Sequence, residues 1–279
     1  MDLKFPGLYK YYAQIFNDST VDLSDACFFD PWSISFICLK VIEKAGDPNL
    51  RVIFPKNFAA RNYLMRAHFG EFLKNIGIDT SHFDSSFLSD LKEKDNLNVY
   101  ELSYCQTSDV FKARLPRLLQ VLLNFGMNAD NSGLATALVG ELGNNAFDHN
   151  LGKWPTGISG AVIIGQRYPA KSQLNLSVAD PGIGFKASLH RKDPNLKSET
   201  EAIKLALEKG VSGRVEEKRG NGLKFIQDST FEIFSGIISI QSYDGLVIRE
   251  ENNFKEEIVP PVLGSVVNLT LYCKRQNDY

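Results

Sequence analysis

The sequence has few of the residues that build metal centres or disulfide frameworks. Its cysteines and histidines are scattered along 279 residues, and no two cysteines form a Cys-x-x-Cys pair. The positions are Cys27, Cys38, Cys105 and Cys273, and His68, His82, His149 and His190. Because zinc sites and stabilising disulfides need such residues in recognisable spacings, we expect neither a zinc site nor structural disulfides.

Long apolar runs and a strong net charge are also missing. No stretch of about 18 apolar residues occurs, which is the length a membrane-spanning helix needs, and the first residues do not resemble a signal peptide. The formal net charge is −2, so no global field favours binding to nucleic acid or to a membrane. Since 43% of the residues are hydrophobic, the chain can bury sizeable cores. We expect a cytoplasmic α/β protein.

One helix expected from about residue 131 carries an unusual polar stripe. Leu134 and Leu138 start an apolar stripe at helical spacing, and Glu141, Asn145 and His149 continue it. Steps of three and four residues place these side chains on one face of a helix. Because burying a carboxylate without a partner is costly, the stripe indicates a cavity that holds a ligand. The alternative is a solvated helix end.

Residues 1–115 alternate short apolar strands with helices and form the first predicted domain. Asp30 and Pro31 are a suitable N-cap and first residue for its first clear helix. Further elements are expected as a strand at 50–54, a helix at 57–76 and a strand at 98–104. Strands alternating with helices predict an α/β layer with parallel pairing.

Part of this first half resembles a known family. The stretch VDLSDACFFDPW at 21–32, with the β-α unit that follows, resembles the STAS domains of bacterial anti-sigma-factor antagonists. The resemblance covers residues 21–78 and implies a STAS-like fold and a docking role. In that family a phosphorylated Ser or Thr follows the final Asp of the strand. Here Pro31 and Trp32 hold that place, and Ser33 comes one or two positions later.

A long helix expected at 109–128 joins the two halves. Its apolar residues recur at helical intervals, and Pro116 should kink the helix or mark its true start. It is either a core helix of the second domain or an interdomain or dimer helix. We place the domain boundary here, so the second predicted domain comprises residues 116–279.

A glycine turn with an acidic residue follows a strand expected at 174–179. The turn reads Asp180-Pro181-Gly182-Ile183-Gly184. The carboxylate at the strand end can accept a hydrogen bond from an exocyclic amine, and glycines let the backbone approach a flat ring closely. Alone, this is a weak signal, because many tight turns share the pattern.

A second glycine turn, Gly220-Asn221-Gly222-Leu223, opens a later helix. Free backbone N–H groups at a helix N-terminus can bind phosphate, and Lys218 and Arg219 just before the turn could add charged contacts. This signal is also weak when taken alone.

Together the three elements are specific. The order ExxxNAxxH on a helix, DxGxG after a strand and GxGL opening a later helix resembles the GHKL ATPases. That superfamily holds gyrase B, the heat-shock chaperone ATPases, the MutL proteins, histidine kinases and the anti-sigma serine kinases. The resemblance covers residues 132–273 and implies a Bergerat α/β sandwich that binds ATP and Mg²⁺. The helix motif ELGNNAFDHN is closest to the anti-sigma serine kinase type.

The resemblance implies a role for each residue of the pattern. Glu141 would be the general base, Asn145 would bind Mg²⁺ through its amide oxygen, and Asp180 would accept a hydrogen bond from the adenine amine. His149 would contact phosphate or hold a lid. The other expected nucleotide-binding residues are Gly182, Gly184, Lys218, Arg219, Gly220, Gly222, Leu223 and Ser265, the last of which replaces the Thr of the family's Gly-Thr pair.

Three functions fit this reading. The first is a regulatory module with slow ATPase activity that gates a protein partner or a homodimer. The second is a protein serine/threonine kinase of the anti-sigma partner-switching type. The third is a scaffold that binds ATP without turnover, against which the presence of Glu141 argues. A histidine kinase is disfavoured, because His68 and His82 are each followed by Phe and not by an acid.

Overall fold

The structure is a computed structural model that describes residues 1–78, 98–150, 152–190, 192–209, 222–251 and 253–272. In these ranges the strands are β1 (Asp2–Leu3), β2 (Phe16–Asn17), β3 (Thr20–Asp22), β4 (Phe28–Phe29), β5 (Arg51–Ile53), β6 (Val99–Cys105), β7 (Ala161–Tyr168), β8 (Gln173–Asp180), β9 (Ile237–Glu250) and β10 (Asn253–Tyr272). The helices are α1 (Tyr12–Ile15), α2 (Pro31–Lys44), α3 (Phe58–Arg66), α4 (Phe69–Asn75), α5 (Ser108–Asn124), α6 (Ala129–Asn150), α7 (Gly184–Leu189), α8 (Glu199–Lys209) and α9 (Gly222–Glu232). The expected α/β class is confirmed. None of these helices is long and apolar enough to cross a membrane.

The main sheet has five strands in the order β6-β7-β8-β10-β9. Every neighbouring pair in it is antiparallel. The register between β8 and β10 places Ser265 opposite Asp180. Two residues that are 85 positions apart in the chain therefore lie side by side at one end of the sheet.

The central strands of this sheet are buried on both faces. Along β7, Ala161 and Ile163 belong to one apolar core, whereas Val162 and Ile164 belong to the other. The core with Ala161 and Ile163 also takes apolar side chains from α5, α6, α8 and α9. A strand covered on both sides reads as a continuous apolar run, which explains the pattern GAVIIG in the sequence.

The first half of the chain covers the opposite face of the main sheet. Helix α2 packs against β7, β8 and β10, and its side chains share one core with Val162, Ile164 and Val266. The small strands form a three-stranded sheet, β2-β3-β5, and a β1-β4 pair. The expected parallel pairing occurs between β3 and β5 and between β1 and β4, over only two or three residues.

This arrangement bears on the division into domains at residue 115. That position lies inside α5, and β6, which precedes it, is an edge strand of the main sheet. The strand expected at 98–104 is therefore present, but it pairs with the second half of the chain. Pro116 also lies inside α5, whose N-cap is Thr107. It neither starts the helix nor ends it.

The start of α2 agrees with the sequence. Asp30 is the N-cap, and its carboxylate accepts a hydrogen bond from the Ser33 backbone N–H at 2.8 Å. The Ser33 hydroxyl oxygen accepts in turn from the Asp30 N–H at 3.0 Å, which completes a capping box. Ser33 is fully buried, so the folded chain offers no accessible hydroxyl at the place where the STAS resemblance would put a phosphorylated residue.

The helix expected at 57–76 is divided into α3 and α4. Asn57 caps α3 as expected, because its side chain accepts from the Ala60 N–H. The division occurs at His68, whose φ of 63° lies in the left-handed region. The nearest glycine, Gly70, lies inside α4 and not at the break, and the apolar residues keep a helical spacing across it.

Gly143 sets the contact between α5 and α6. A Cβ atom at this position would lie 2.1 Å from the Phe111 ring. An exposed glycine inside a helix costs up to about 1 kcal/mol relative to alanine, but overpacking a core costs about 1–3 kcal/mol. We therefore expect Gly143→Ala to lower the free energy of unfolding. Gly133→Ala in the same helix meets no atom within 4 Å and should raise it.

Denaturant titration of the two variants checks this pair. The opposite signs are the diagnostic result, since both changes add one methyl group to α6. A stabilised Gly143→Ala protein would show that α5 is not packed against α6 at this point.

Candidate functional site

The site cavity lies between α6, α7, α8, the start of α9, the end of β8 and the middle of β10. Its volume is about 530 Å³, part of which is open to solvent. Six of the residues expected to bind a nucleotide line it, namely Asn145, His149, Asp180, Gly184, Leu223 and Ser265. The other lining residues are Leu142, Ala146, Asn150, Phe185, Ser188, Leu189, Ala206 and Val267. The cavity is thus mostly apolar with a few polar groups, which is the usual composition of a small-molecule site.

Asp180 ends β8 and is buried at one end of the site cavity. Its Oδ2 accepts a hydrogen bond from the Ser265 hydroxyl at 2.6 Å. Its Oδ1 accepts from Asn150 Nδ2 at 2.8 Å and from the Gly182 N–H at 3.1 Å. A carboxylate has about four acceptor positions, and the described residues use three of them. No second donor to Oδ2 is found among the described residues.

The glycine turn after Asp180 is held by close contacts. A Cβ atom on Gly182 would lie 1.9 Å from Asn150 Oδ1. Gly184 has φ of 75°, and a Cβ there would lie 2.7 Å from the Ser242 Oγ. That same Oγ accepts a hydrogen bond from the Phe185 N–H at 3.0 Å. These two glycines are required because β9 and the end of α6 approach the turn closely.

Asn145 and His149 face the same cavity from α6. Asn145 Nδ2 is buried and has no hydrogen-bond partner among the described residues. His149 Nδ1 lies 3.1 Å from Ser188 Oγ on α7. Burial lowers the pKa of His149, and nearby Lys192 lowers it further. The imidazole is therefore favoured in its neutral form.

Glu141 lies one turn before Asn145 and next to the start of α9. A Cβ atom on Gly222 would be 3.0 Å from Glu141 Oε2 and 3.9 Å from Asn145 Oδ1. The helix carrying the polar stripe and the first residue of α9 therefore meet at these two side chains. Lys218, Arg219 and Gly220, which precede Gly222, lie outside the described residues.

Two buried polar residues, one in the lining of the site cavity and one beside α7, were not among those expected from the sequence. Asn150 follows His149 directly and reaches Asp180, so it belongs to the same helix motif. Glu199, the first residue of α8, accepts a hydrogen bond from the Lys186 N–H at 3.0 Å. Burial raises the pKa of Glu199 above its usual value, a shift that its hydrogen bonds oppose. The sequence Ser198-Glu199-Thr200-Glu201 has the pattern of a helix start, which gives no indication of a buried acid.

No protein-family model matches the chain, and no curated protein matches it either. No group of three or more His, Cys, Asp or Glu that could hold a metal ion occurs in the part of the chain that the structure describes. Metal binding here would have to use a smaller protein ligand set, such as one amide oxygen.

The buried Asp180 carboxyl should make the stability of the protein depend on pH. Burial raises its pKa above the usual 3.8, and the hydrogen bonds from Ser265, Asn150 and the Gly182 N–H oppose that shift. A carboxyl whose pKa is raised by folding favours the folded state when protonated, and this contribution is lost as pH rises through the folded-state pKa. The amide of Asp180→Asn does not titrate, so this variant has no such loss.

The melting temperature of Asp180→Asn minus that of the unaltered protein should thus become more positive as pH rises. Thermal melts between about pH 4 and pH 8, a window that starts near the usual carboxyl pKa, measure the difference. A difference that falls with rising pH would mean that the site stabilises the ionised carboxyl.

Proposed function

We propose that this chain is a GHKL-type module that binds ATP with Mg²⁺, hydrolyses it slowly and uses the bound nucleotide to gate a protein partner or a homodimer. The observation that carries the proposal is the buried Asp180 carboxylate at one end of the site cavity, with no second donor to Oδ2 among the described residues. An exocyclic amine supplies such a donor. The order of the three sequence elements, which resembles the GHKL pattern, supports the same ligand.

The residues present fit both parts of the ligand. Asp180 and Ser265 offer acceptors at the base end, and Leu142, Leu223 and Val267 supply apolar surface for a flat ring. At Asn145 a buried amide donor has no described partner. Leaving such a group unpaired costs about 1–3 kcal/mol, and a polar ligand would remove that cost.

The amide oxygen of Asn145 is the group that would hold Mg²⁺. Mg²⁺ prefers oxygen ligands and keeps several waters, so one side chain together with phosphate oxygens forms a sufficient set. When bound, the ion would neutralise charge on the phosphates. Glu141, one turn earlier on α6, would accept a proton from the attacking oxygen.

Binding is the direct test of the proposal. Calorimetry should show ATP and ADP binding that depends on Mg²⁺, and Asp180→Asn should abolish it. In this variant the remaining oxygen can keep the bonds from Asn150 and Gly182, while the new NH₂ can donate to the Ser265 hydroxyl. The base end then presents a donor where the amine needs an acceptor.

The control is Asp109→Asn at an exposed position in the first turn of α5, which should bind as the unaltered protein does. The Asp180→Asn protein should melt within about 4 °C of the parent, which corresponds to about 1 kcal/mol or a little more for a chain of this size. Equal binding by parent and Asp180→Asn would remove Asp180 from the site.

The alternative is a serine/threonine kinase of the partner-switching type. The helix motif and the STAS-like first half favour it, and Glu141 could receive the proton of a protein hydroxyl as well as that of water. Because Ser33 is fully buried, the acceptor would have to belong to another protein. Incubation with γ-labelled ATP and candidate partners separates the two functions. A kinase leaves label on protein, whereas an ATPase releases it all as phosphate.

A further inference from the structure

Asn150 joins the polar helix to the acidic glycine turn. It is the last residue of α6 and only 3% of it is exposed. Its Nδ2 donates to Asp180 Oδ1 at 2.8 Å and to the Ala146 carbonyl at 2.5 Å, and its Oδ1 accepts from the Ile183 N–H at 2.9 Å. On the side that faces Gly182 no space remains beside the Asn150 amide, because a Cβ on Gly182 would overlap it. Asn150 therefore has one fixed orientation.

This orientation decides what the base end of the site cavity can offer to a ligand. Both amide protons of Asn150 are engaged, and the Ser265 hydroxyl proton is engaged by Asp180 Oδ2. Asp180 itself carries no proton when ionised. The three polar side chains at this end, Asn150, Asp180 and Ser265, therefore present only lone pairs to the cavity.

We propose that Asn150 is a positioning residue that fixes Asp180 as a pure acceptor and so makes the site select a 6-aminopurine nucleotide over a 6-oxopurine nucleotide. The inference rests on the proposed function and assigns the residue that sets its base preference. An amine at position 6 donates to Asp180 Oδ2. A carbonyl at that position places a second acceptor against a carboxylate, and none of the three described side chains at the base end has a free donor to turn toward it. Sites built to hydrogen-bond one group reject an analogue that leaves their buried polar atoms unpaired.

Asn150→Asp separates positioning from simple support of the fold. The new carboxyl keeps the shape of the amide and can donate to Asp180 only while it carries a proton. Two adjacent buried carboxyls titrate as a coupled pair. At low pH the pair holds one proton and imitates the amide, whereas at high pH two negative charges face each other and the arrangement opens.

ADP affinity of Asn150→Asp should therefore fall as pH rises. In the unaltered protein the trend is opposite, because protonation of Asp180 at low pH removes the acceptor. Direct titration of Mg²⁺-ADP and Mg²⁺-inosine diphosphate by calorimetry at several pH values measures both effects. We expect the parent to prefer ADP by at least about tenfold, which is one unit of log affinity. Asn150→Asp should lose at least about tenfold in ADP affinity between low and high pH, the effect of a one-unit interaction within the pair.

Asn175→Asp is the matched control, since it makes the same change at a different buried asparagine, which lies on β8. Its Oδ1 already acts as an acceptor, from Gln173 Nε2 at 2.7 Å, so a carboxylate fits there. It should keep the parental preference and pH trend. If Asn150→Asp does not fold, Asn150→Ser provides the second variant. Its shorter side chain cannot donate to Asp180 Oδ1. The ratio of ADP affinity to inosine diphosphate affinity should therefore move toward one.

The outcomes separate this inference from the function on which it rests. If the parent binds neither nucleotide, both the proposed function and this inference are overturned. If the parent binds ADP and inosine diphosphate equally, or if both Asn150 variants keep the parental preference and pH trend, the function stands and the role of Asn150 is overturned.

Discussion

Gly264→Ala should unfold or severely destabilise the protein. Gly264 lies on β10 just before Ser265 and has φ of 79°. A Cβ there would lie 1.9 Å from the Asp180 carbonyl oxygen and 2.6 Å from the Gly182 nitrogen. Both are backbone atoms of the acidic turn, so no side chain can rotate away to make room.

Two costs add at this position. A left-handed backbone conformation costs a non-glycine residue about 1–2 kcal/mol, and the overlap costs about 1–3 kcal/mol more if the strands separate to relieve it. We expect a loss of about 2–5 kcal/mol, the sum of the two costs, which corresponds to a fall of about 4–20 °C in melting temperature for a chain of this size. Denaturant and thermal unfolding measure both quantities.

Gly157→Ala is the control that separates strain from overlap. Gly157 has φ of 76°, almost the same as Gly264, but a Cβ there meets nothing within 4 Å. It should cost only the strain of about 1–2 kcal/mol. If the two variants lose equal stability, β10 does not approach the acidic turn as closely as described.

The segment of β9 beside the acidic turn also contacts the first half of the chain. The Ser242 hydroxyl oxygen accepts a hydrogen bond from the Phe185 N–H. The preceding residue, Gln241, accepts a hydrogen bond from the Tyr9 hydroxyl at 2.7 Å. Gln241 Nε2 donates to the Tyr243 and Pro260 carbonyls at 2.8 and 2.9 Å. A short stretch of one strand thus contacts the glycine turn on one side and the N-terminal aromatic residues on the other. These bonds connect the acidic turn to the first half of the chain.

The sequence alone predicted the local features well. The cap at Asp30, the start of α3 after Asn57 and the polar stripe on α6 all depend on residues within a few positions of one another. The same holds for Asp180 at the end of its strand, because a strand that stops at an Asp followed by glycines leaves few alternatives. Residues close together in the chain determine each of these features, so they can be recognised from the sequence alone.

The features that the sequence did not predict depend on distant partners. The strand at 98–104 was expected in the first domain, yet β6 pairs with β7, more than 50 residues later. Strand β10 extends from Asn253 through Ser265, and its pairing with β9 is irregular around Pro260 and Pro261. No local pattern encodes such a partner.

Asn150 illustrates the same limit within the site. Its residue type and its place after His149 were visible, but its role depends on Asp180, 30 positions later. A buried asparagine at a helix end more often caps or bonds the backbone. Only the approach of the acidic turn to the end of α6 turns it into a contact of the site.

Glu141→Gln should leave nucleotide binding intact and abolish turnover. The side chain lies beside Gly222, near Asn145 and outside the lining of the base end. The amide has the same shape and can still accept hydrogen bonds, so ADP affinity should change by no more than about twofold to threefold, a few tenths of a kcal/mol. It cannot take up a proton at neutral pH, and loss of a general base lowers a rate by about 10²–10⁴-fold.

Steady-state phosphate release and calorimetric ADP binding, measured on the same preparations, separate the two effects. Glu208→Gln, an exposed acid on α8, should release phosphate at the parental rate. If Glu141→Gln retains parental turnover, the base lies elsewhere and the polar stripe serves binding alone. A parental protein that binds ATP without releasing phosphate, but labels a partner in a Glu141-dependent way, would identify the acceptor of the phosphoryl group as a protein hydroxyl. The carboxylate would have the same task in both cases, because it takes the proton from whichever oxygen attacks.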